Sequence, residues 1–192
     1  MKKILIGTHN KGKFKEISYL LSKRIIKVSP QKLKIKSPKE TGTTFKENAE
    51  LKANYFSRFT SFPVISDDSG LCIKELNGKP GIYSARWAKK HGSFNKAMKF
   101  IIDKMKKKRN RSATFVCSLC LKYPKGKKFT VVGKIKGSIS NKISGLKGFG
   151  YDPIFIPHSR SKTFGQMSKM DKIKMDHRYV AFQKMKKKIK IL

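Results

Sequence analysis

Two adjacent carboxylates are the first residues in this 192-residue chain whose type and spacing suggest chemistry. Asp67 and Asp68 end the predicted strand that begins at Pro63, and Ser69-Gly70 follows them, in a chain with 11 acidic residues. Neighbouring carboxylates repel each other unless a cation or hydrogen-bond donors neutralise them, so the pair is a candidate metal site. Because aspartate, serine and glycine are also ordinary turn residues, the pair alone favours neither interpretation.

A second candidate lies between the first predicted strand and a helix predicted over 14–21. A strand-to-helix turn that contains glycine presents backbone N–H groups and the positive end of the helix dipole to an anion. The residues of this turn are Thr8, His9, Asn10, Lys11, Gly12 and Lys13. They lack the spacing and the Lys-Ser/Thr pair of a Walker A loop, and a plain turn is the alternative to a phosphate site.

Two later segments combine polar and aromatic groups. Segment 148–153 reads Gly-Phe-Gly-Tyr-Asp-Pro, in which glycines allow close backbone approach and an aromatic face can stack on a nucleobase. The alternative is a tight turn with core aromatics.

His177 and Arg178 follow Asp176 at the start of the last predicted helix, with Lys172 four residues before Asp176. Their donors suit a base carbonyl oxygen; the alternative is a polar helix start capped by Asp176.

The elements that position these residues alternate between strands and helices. Ser93 and the Thr44–Glu47 capping box each precede an apolar stripe at helical spacing. Strand patterns occur at 3–8, 63–67, 71–76, 112–123, 129–136 and 153–156. Elements that alternate along the chain in this way predict an α/β (α+β layered) fold with a central mixed sheet flanked by helices. The pattern does not fix the order of the strands in the sheet. The length predicts a single domain over 1–192.

The net charge of +36 suggests a nucleic-acid binder. Two features weaken this interpretation: lysines outnumber arginines by 40 to 7, and they are spread along the whole chain. We expect no specific nucleic-acid partner.

The apolar segments are far shorter than the roughly 20 residues that cross a bilayer, and the one behind Lys2-Lys3 ends at Gly7. We therefore expect no membrane association, no signal peptide and a cytoplasmic location.

Three cysteines include a C-x-x-C pair at Cys117 and Cys120. The pair lies in a strand pattern, where positions three apart face opposite sides of the sheet. Because only Cys72 is left over, no second pair completes a four-cysteine zinc site. We expect buried, reduced, structural cysteines.

Taken together, these segments resemble the Ham1 family of inosine triphosphate, or non-standard purine nucleoside triphosphate, pyrophosphatases. The resemblance covers residues 4–182 and includes the turn at 8–13 and the His-Arg pair. Its most specific motifs are E-T-G-x-T-F-x-E-N-A from Glu40, D-D-S-G-L from Asp67, P-G-I-Y-S-A-R from Pro80 and G-F-G-Y-D-P-I-F from Gly148.

The resemblance implies an enzyme that hydrolyses ITP, dITP and XTP between the α and β phosphorus atoms and so keeps damaged purines out of DNA and RNA. The products are a nucleoside monophosphate and pyrophosphate. It further implies one Mg²⁺ ion per active site, a cleft between two lobes and a homodimer.

The resemblance also implies a role for individual residues. Asp68 matches the general base and a metal ligand, and Glu40 matches the second metal-binding carboxylate. Lys52 and the turn at 8–13 would hold the triphosphate, and Ser69 would contact the substrate. The nucleobase pocket, whose donors would favour a 6-oxo purine, would contain Phe149, Gly150, Tyr151, Asp152, Lys172, His177 and Arg178.

A nucleic-acid-binding protein that keeps this fold and uses its basic surface is the competing hypothesis. Such a protein would not need the two carboxylates that match the metal site. The presence of both Glu40 and Asp68 favours the hydrolase.

Overall fold

The computed structural model describes residues 2–124 and 126–189. The strands in these residues are β1 Lys3–Ile6, β2 Ile26–Val28, β3 Val64–Ile73, β4 Ser112–Lys122, β5 Lys128–Ile139 and β6 Phe155–Pro157. The α-helices are α1 Lys11–Leu20, α2 Phe45–Ser57, α3 Ser84–Lys90, α4 Phe94–Met105, α5 Lys169–Ile173 and α6 His177–Lys188. Short 3₁₀ turns occupy Lys74–Leu76, Gly81–Tyr83 and Asp152–Ile154.

The strands of the described residues form one sheet in the order β2-β1-β3-β4-β5-β6. β1 pairs in parallel with both β2 and β3, whereas β5 and β6 are antiparallel. The predicted mixed sheet with flanking helices is therefore confirmed. The short strand β2 was not predicted, because three residues are too few to show an alternating pattern.

The predicted strand at 63–67 and the first half of the one at 71–76 belong to one continuous strand, β3, whereas residues 74–76 form a 3₁₀ turn. The prediction of a strand end at the two aspartates was wrong, because the local turn propensity of Asp-Asp-Ser-Gly does not decide its conformation here. Buried ion pairs and hydrogen bonds hold both aspartates in the strand.

The chain divides into two compact units. Unit 1 contains residues 1–68, 117–133 and 178–192, and unit 2 contains residues 69–116 and 134–177. The divisions fall inside β3, β4 and β5. The single domain and the cleft between two lobes stay predictions.

The core of unit 1 is built on β1 and the first half of β3. Ile6 and Ile65 of these strands are fully buried, and they pack with Ile17 of α1 and Phe182 of α6. α2 buries Ala49, Ala53 and Phe56, as its apolar stripe predicts. Phe45, the first residue of that predicted stripe, is half-buried.

The core of unit 2 packs against α4. This helix buries the face that its sequence pattern predicts, and the side chains of that face are Ala97, Met98, Ile101, Ile102 and Met105. Phe155 and Phe164, both fully buried, pack in the same cluster. None of the helices in the described residues is long and apolar enough to cross a membrane.

Side-chain caps define where several helices begin, and α1, α2 and α4 are among them. Thr44 Oγ1 accepts from the backbone N–H of Glu47 at 3.1 Å, and Ser93 caps α4 in the same way. The Glu47 carboxylate accepts from the backbone N–H of Thr43 at 2.7 Å, one residue before the cap. Asn10 caps α1, which begins at Lys11 and not at residue 14 as predicted, because the Asn10 side chain accepts from the N–H of Lys13.

The three cysteines are thiols, as predicted. Cys117 and Cys120 are fully buried in different hydrophobic clusters, as strand geometry requires for positions three apart. Cys72 is half-buried in β3, and burial raises its pKa. A raised pKa keeps the thiol protonated at neutral pH.

Candidate active site

Asp67 and Asp68 lie side by side in the middle of β3 and face opposite sides of the sheet. Asp67 binds Lys13 and Arg178, whereas Asp68 binds Asn48 and Lys52. This alternation is the period-2 geometry of a strand. The two carboxylates therefore belong to two different polar groups, and Lys52 pairs with both Asp68 and Glu40.

The first polar group surrounds Asp68 and includes two donors from one face of α2. Asn48 Nδ2 donates to Asp68 Oδ2 at 3.3 Å, and Lys52 Nζ lies 3.5 Å from Asp68 Oδ1. Positions 48 and 52 are one helical turn apart, so both side chains project from the same face. Asn48, Lys52 and Asp68 are all buried.

Glu40 joins this group through the same lysine. Its Oε1 accepts from Lys52 Nζ, so one ammonium holds the two carboxylates predicted as metal ligands. The loop that carries Glu40 is fixed two residues later, where Asn48 Oδ1 accepts from the N–H of Gly42 at 2.8 Å. A Cβ at Gly42 would lie 2.8 Å from Asn48 Oδ1, so a glycine is needed for this close approach.

Burial shapes the protonation of this group. Burial raises the pKa of Asp68 above its ordinary value, although the nearby Lys52 acts in the opposite direction. Burial also disfavours the charged form of Lys52, but the carboxylates of Asp68, Asp67 and Glu40 outweigh it and raise the pKa of Lys52. Lys52 is therefore a cation, and Asp68 is a stronger base than an exposed aspartate.

The second polar group lies on the other side of β3 in unit 1. Lys13 Nζ lies 3.1 Å from Asp67 Oδ2, and Arg178 Nε lies 3.5 Å from the same oxygen. Arg178 Nη1 also donates to Glu16 Oε2 at 2.9 Å. Burial raises the pKa of Asp67, but the positive charges of Lys13 and Arg178 outweigh burial. The pKa is therefore lowered from 3.8 to about 2.

The predicted phosphate turn is the connection from β1 to α1. Thr8 is buried and its hydroxyl accepts from the N–H of Asn10 at 3.2 Å. Asn10 and Lys11 are exposed, and Gly12 and Lys13 are half-buried. His9 keeps a negative φ: positive φ at described non-glycine positions is confined to Lys34, Asn77 and Ser159.

His9 is fixed by two contacts of its ring. Nε2 lies 2.9 Å from the backbone oxygen of Ile35, and the ring lies 6.1 Å from that of Phe56. These contacts fix the imidazole, and the role of the turn towards a phosphate stays a prediction.

Several of the predicted nucleobase residues form a third polar group, in unit 2. Asp152 Oδ2 accepts from Lys172 Nζ at 2.6 Å and from the N–H of Phe149 at 2.8 Å. The ammonium of Lys172 also lies 4.6 Å from the centre of the Phe149 ring. Gly148 has φ +76, and a Cβ there would lie 2.2 Å from Asp152 Oδ2, so this turn requires glycine.

The other predicted nucleobase residues are more buried than a surface turn would be. Tyr151 is a core residue whose hydroxyl donates to the carbonyl of Ser84 at 3.0 Å, which leaves Phe149 as the half-buried ring of the aromatic pair. Gly150 is half-buried with φ +65, and Ser69, next to Asp68, is also half-buried. Tyr151 is therefore a core aromatic, as the alternative interpretation of this segment predicts, and its role towards a nucleobase stays a prediction.

His177 and Arg178 are both buried, so the alternative interpretation of a polar surface at the start of α6 is wrong. The His177 ring is stacked on Phe115, with ring centres 4.8 Å apart and planes 9° apart. His177 belongs to unit 2, and Arg178 belongs to unit 1 with Glu16 and Asp67. Their roles towards a nucleobase stay predictions.

Sequence reasoning missed two residues of these groups. Asn48 was part of a quoted motif, but the motif gives it no role of its own, and an asparagine inside a predicted helix was the available signal. Glu16 lies 162 positions from Arg178, and the scarcity of acids in the chain was its only signal.

Comparison with known proteins shows the family of this chain. The sequence model described as the Ham1 family matches residues 4–188. This chain belongs to the Ham1 family.

Bacterial dITP/XTP pyrophosphatases are similar to this chain over nearly its whole length. The dITP/XTP pyrophosphatase of Caulobacter vibrioides is 40% identical over 186 residues, which cover 96% of each protein. That of Exiguobacterium sp. is 40% identical over 189 residues, which cover 97% of this chain and 96% of the relative.

Solved structures of Ham1 proteins have the same fold. The Staphylococcus aureus Ham1 protein has a TM-score of 0.87 at 33% identity, with 98% of each chain covered. The HAM1 protein of Coxiella burnetii has a TM-score of 0.88 at 29% identity, with 100% of each chain covered.

Proposed function

We propose that this chain is a nucleoside-triphosphate pyrophosphatase that hydrolyses dITP, XTP and ITP to the monophosphate and pyrophosphate. The observation that carries the proposal is the convergence of Glu40 and Asp68 on Lys52. The similarity to dITP/XTP pyrophosphatases along nearly the full chain supports the substrate class. Removal of these nucleotides would keep deaminated purines out of DNA and RNA.

The carboxylates suit a divalent cation. Two carboxylates that converge on one ammonium already occupy positions from which both can face a cation. Mg²⁺ is commonly held by one or two carboxylates, with water and substrate phosphate oxygens as the other ligands. We propose that Glu40 and Asp68 hold one Mg²⁺ ion.

The residues of unit 1 provide the chemistry for phosphoryl transfer. When bound, Mg²⁺ polarises phosphoryl oxygens and offsets their charge. Asp68 accepts a proton from the attacking water, because burial has raised its basicity. Lys52 supplies a buried positive charge to the phosphate oxygens, and the turn at 8–13 supplies backbone N–H groups and the end of α1.

We propose that the third polar group, in unit 2, contacts the purine. Lys172 is an ammonium held by Asp152 and placed beside the Phe149 ring, and N–H donors of this kind suit a base carbonyl. The half-buried Phe149 ring offers a stacking face. The 6-amino group of adenine is itself a donor, so it cannot accept a hydrogen bond from Lys172. A buried donor left without an acceptor costs about 1–3 kcal/mol. This difference would favour hypoxanthine and xanthine over adenine.

A substrate panel tests the proposed function. The purified protein is incubated with Mg²⁺ and dITP, XTP, ITP, GTP or ATP, and both pyrophosphate and orthophosphate are measured. We expect pyrophosphate from dITP, XTP and ITP, with kcat/KM for ATP lower by at least about tenfold. Release of orthophosphate alone, or equal rates for ATP and ITP, would contradict the proposal.

The homodimer and the cytoplasmic location belong to the same proposal. The net charge of +36 opposes association of two copies through electrostatic repulsion. We therefore expect a dimer that becomes more stable as salt concentration rises. Light scattering at 50 mM and 500 mM salt measures this directly, and a monomer at both concentrations would contradict the dimer.

A further inference from the structure

Asn48 is a fully buried amide in the first turns of α2, and asparagine is an unfavourable residue inside a helix. A buried amide is costly unless its donors and its acceptor are satisfied. Asn48 makes contacts with both: its Oδ1 accepts from the N–H of Gly42 at 2.8 Å, and its Nδ2 donates to Asp68 Oδ2 at 3.3 Å. Nδ2 also lies 3.4 Å from the carbonyl of Gly42.

The neighbours fix the orientation of this amide. The N–H of Gly42 can only donate, and an ionised Asp68 can only accept. Oδ1 must therefore face Gly42 and Nδ2 must face Asp68. No other residue type of this size and shape presents both an acceptor and a donor in that order. Asn48 thus connects the Glu40–Gly42 loop to the strand that carries Asp68, the proposed general base.

This connection runs beside a second one. Lys52 joins Glu40 to Asp68 Oδ1 by charge, while Asn48 joins Gly42 to Asp68 Oδ2 by hydrogen bonds. An ammonium is a point charge that tolerates many orientations of a carboxylate. The directional contact with Asn48 is the one that selects a rotation of the carboxylate plane.

We propose that Asn48 is a positioning residue that sets the rotation of the Asp68 carboxylate and fixes the Glu40 loop for catalysis. The proposal rests on the proposed function for its kinetic consequence. Its structural consequence, the orientation of Asp68, is independent of any activity.

Two variants separate positioning of Asp68 from simple support of the loop. Asn48→Ala removes both contacts. Asn48→Asp keeps the shape and the acceptor for Gly42 but replaces the donor to Asp68 by a negative charge. Ala53→Gly is the matched control, because it weakens the same helix at a buried position without removing a contact to Asp68.

Steady-state kinetics with dITP and Mg²⁺ provide the first test. We expect kcat to fall about 10- to 100-fold in Asn48→Ala and at least as much in Asn48→Asp, with KM changed less than about threefold. Ala53→Gly should lower the melting temperature by a few degrees and keep kcat within about twofold. A kcat close to wild type in folded Asn48→Asp would overturn the proposal, since loop support alone would then be the role of Asn48.

The crystal structure of Asn48→Ala is the second test, and it does not depend on activity. We expect the Asp68 carboxylate to rotate or to occupy two orientations. A carboxylate in its wild-type orientation would overturn the proposal. If wild-type protein hydrolyses none of the nucleotides, the proposed function fails, and this structure still decides the role of Asn48.

Discussion

Asn48 and Lys52 lie one turn apart on α2 and donate to different oxygens of the same carboxylate, that of Asp68. The neighbouring carboxylate of Asp67 faces the other side of the strand, where Lys13 and Arg178 hold it. Asp68 is therefore the candidate general base, whereas Asp67 belongs to a structural ion pair. These different partners lead to different predictions for the two aspartates and for the charged residues around them.

Glu40 is predicted to act through a divalent cation. Glu40→Gln should weaken the stabilisation that millimolar Mg²⁺ gives to the wild-type protein, because binding to the folded state raises stability with ligand concentration. The melting temperature with and without Mg²⁺ measures this difference. Glu75→Gln is the matched control, because the side chains of Glu40 and Glu75 are both 30% exposed and both pair with a lysine. An equal Mg²⁺-dependent shift in Glu40→Gln and wild type would contradict the metal site.

Asp67 is predicted to stabilise the fold in a pH-dependent manner. Its folded pKa is lowered from 3.8 to about 2, so its contribution is complete above pH 3.8 and is lost as pH falls through about 2. A shift of this size corresponds to about 2 kcal/mol. Urea unfolding should therefore show Asp67→Asn less stable by about 2 kcal/mol or more at pH 7, with the difference shrinking between pH 4 and pH 2.

The exposed ion pair of Asp103 with Lys106 provides the control for Asp67. Asp103→Asn should change the free energy of unfolding by less than about 1 kcal/mol at pH 7. If Asp67→Asn were as stable as Asp103→Asn at pH 7, the stabilising role of the buried pair would be refuted.

Lys172 is predicted to matter for both stability and substrate binding. Lys172→Met leaves Asp152 buried without its ammonium, and the loss of one partner of a buried pair costs about 3–5 kcal/mol. Lys128→Met, which breaks the more exposed pair with Glu50, should cost less than about 1 kcal/mol. Urea unfolding measures both values. Similar values for the two variants would contradict the importance of the buried pair.

Much of the fold was predictable because its signals are local. Thr44 and Ser93 cap helices whose apolar faces repeat at helical spacing, and the structure shows both helices where they were predicted. The strand that contains Asp67 and Asp68 was cut short in the prediction, since its turn-like residues are held extended by side chains from distant segments. Local propensity cannot show such partners.

The composition of the site was more predictable than its connections. The resemblance to a known family predicted Glu40, Lys52 and Asp68 as site residues, but it did not show that one ammonium joins the two carboxylates. The pairing of Glu16 with Arg178 spans 162 positions, and no periodic pattern carries information over that distance.

The central claim is that Asp68 is the general base of a metal-dependent pyrophosphatase, and Asp68→Asn tests it most directly. The variant keeps the shape of the side chain and loses its basicity, and Asp103→Asn controls for the loss of one negative charge. Pyrophosphate release from dITP in the presence of Mg²⁺ is the measurement. We predict that Asp68→Asn lowers kcat about 10²- to 10⁴-fold while Asp103→Asn stays near wild type. An unchanged rate in folded Asp68→Asn would contradict the account.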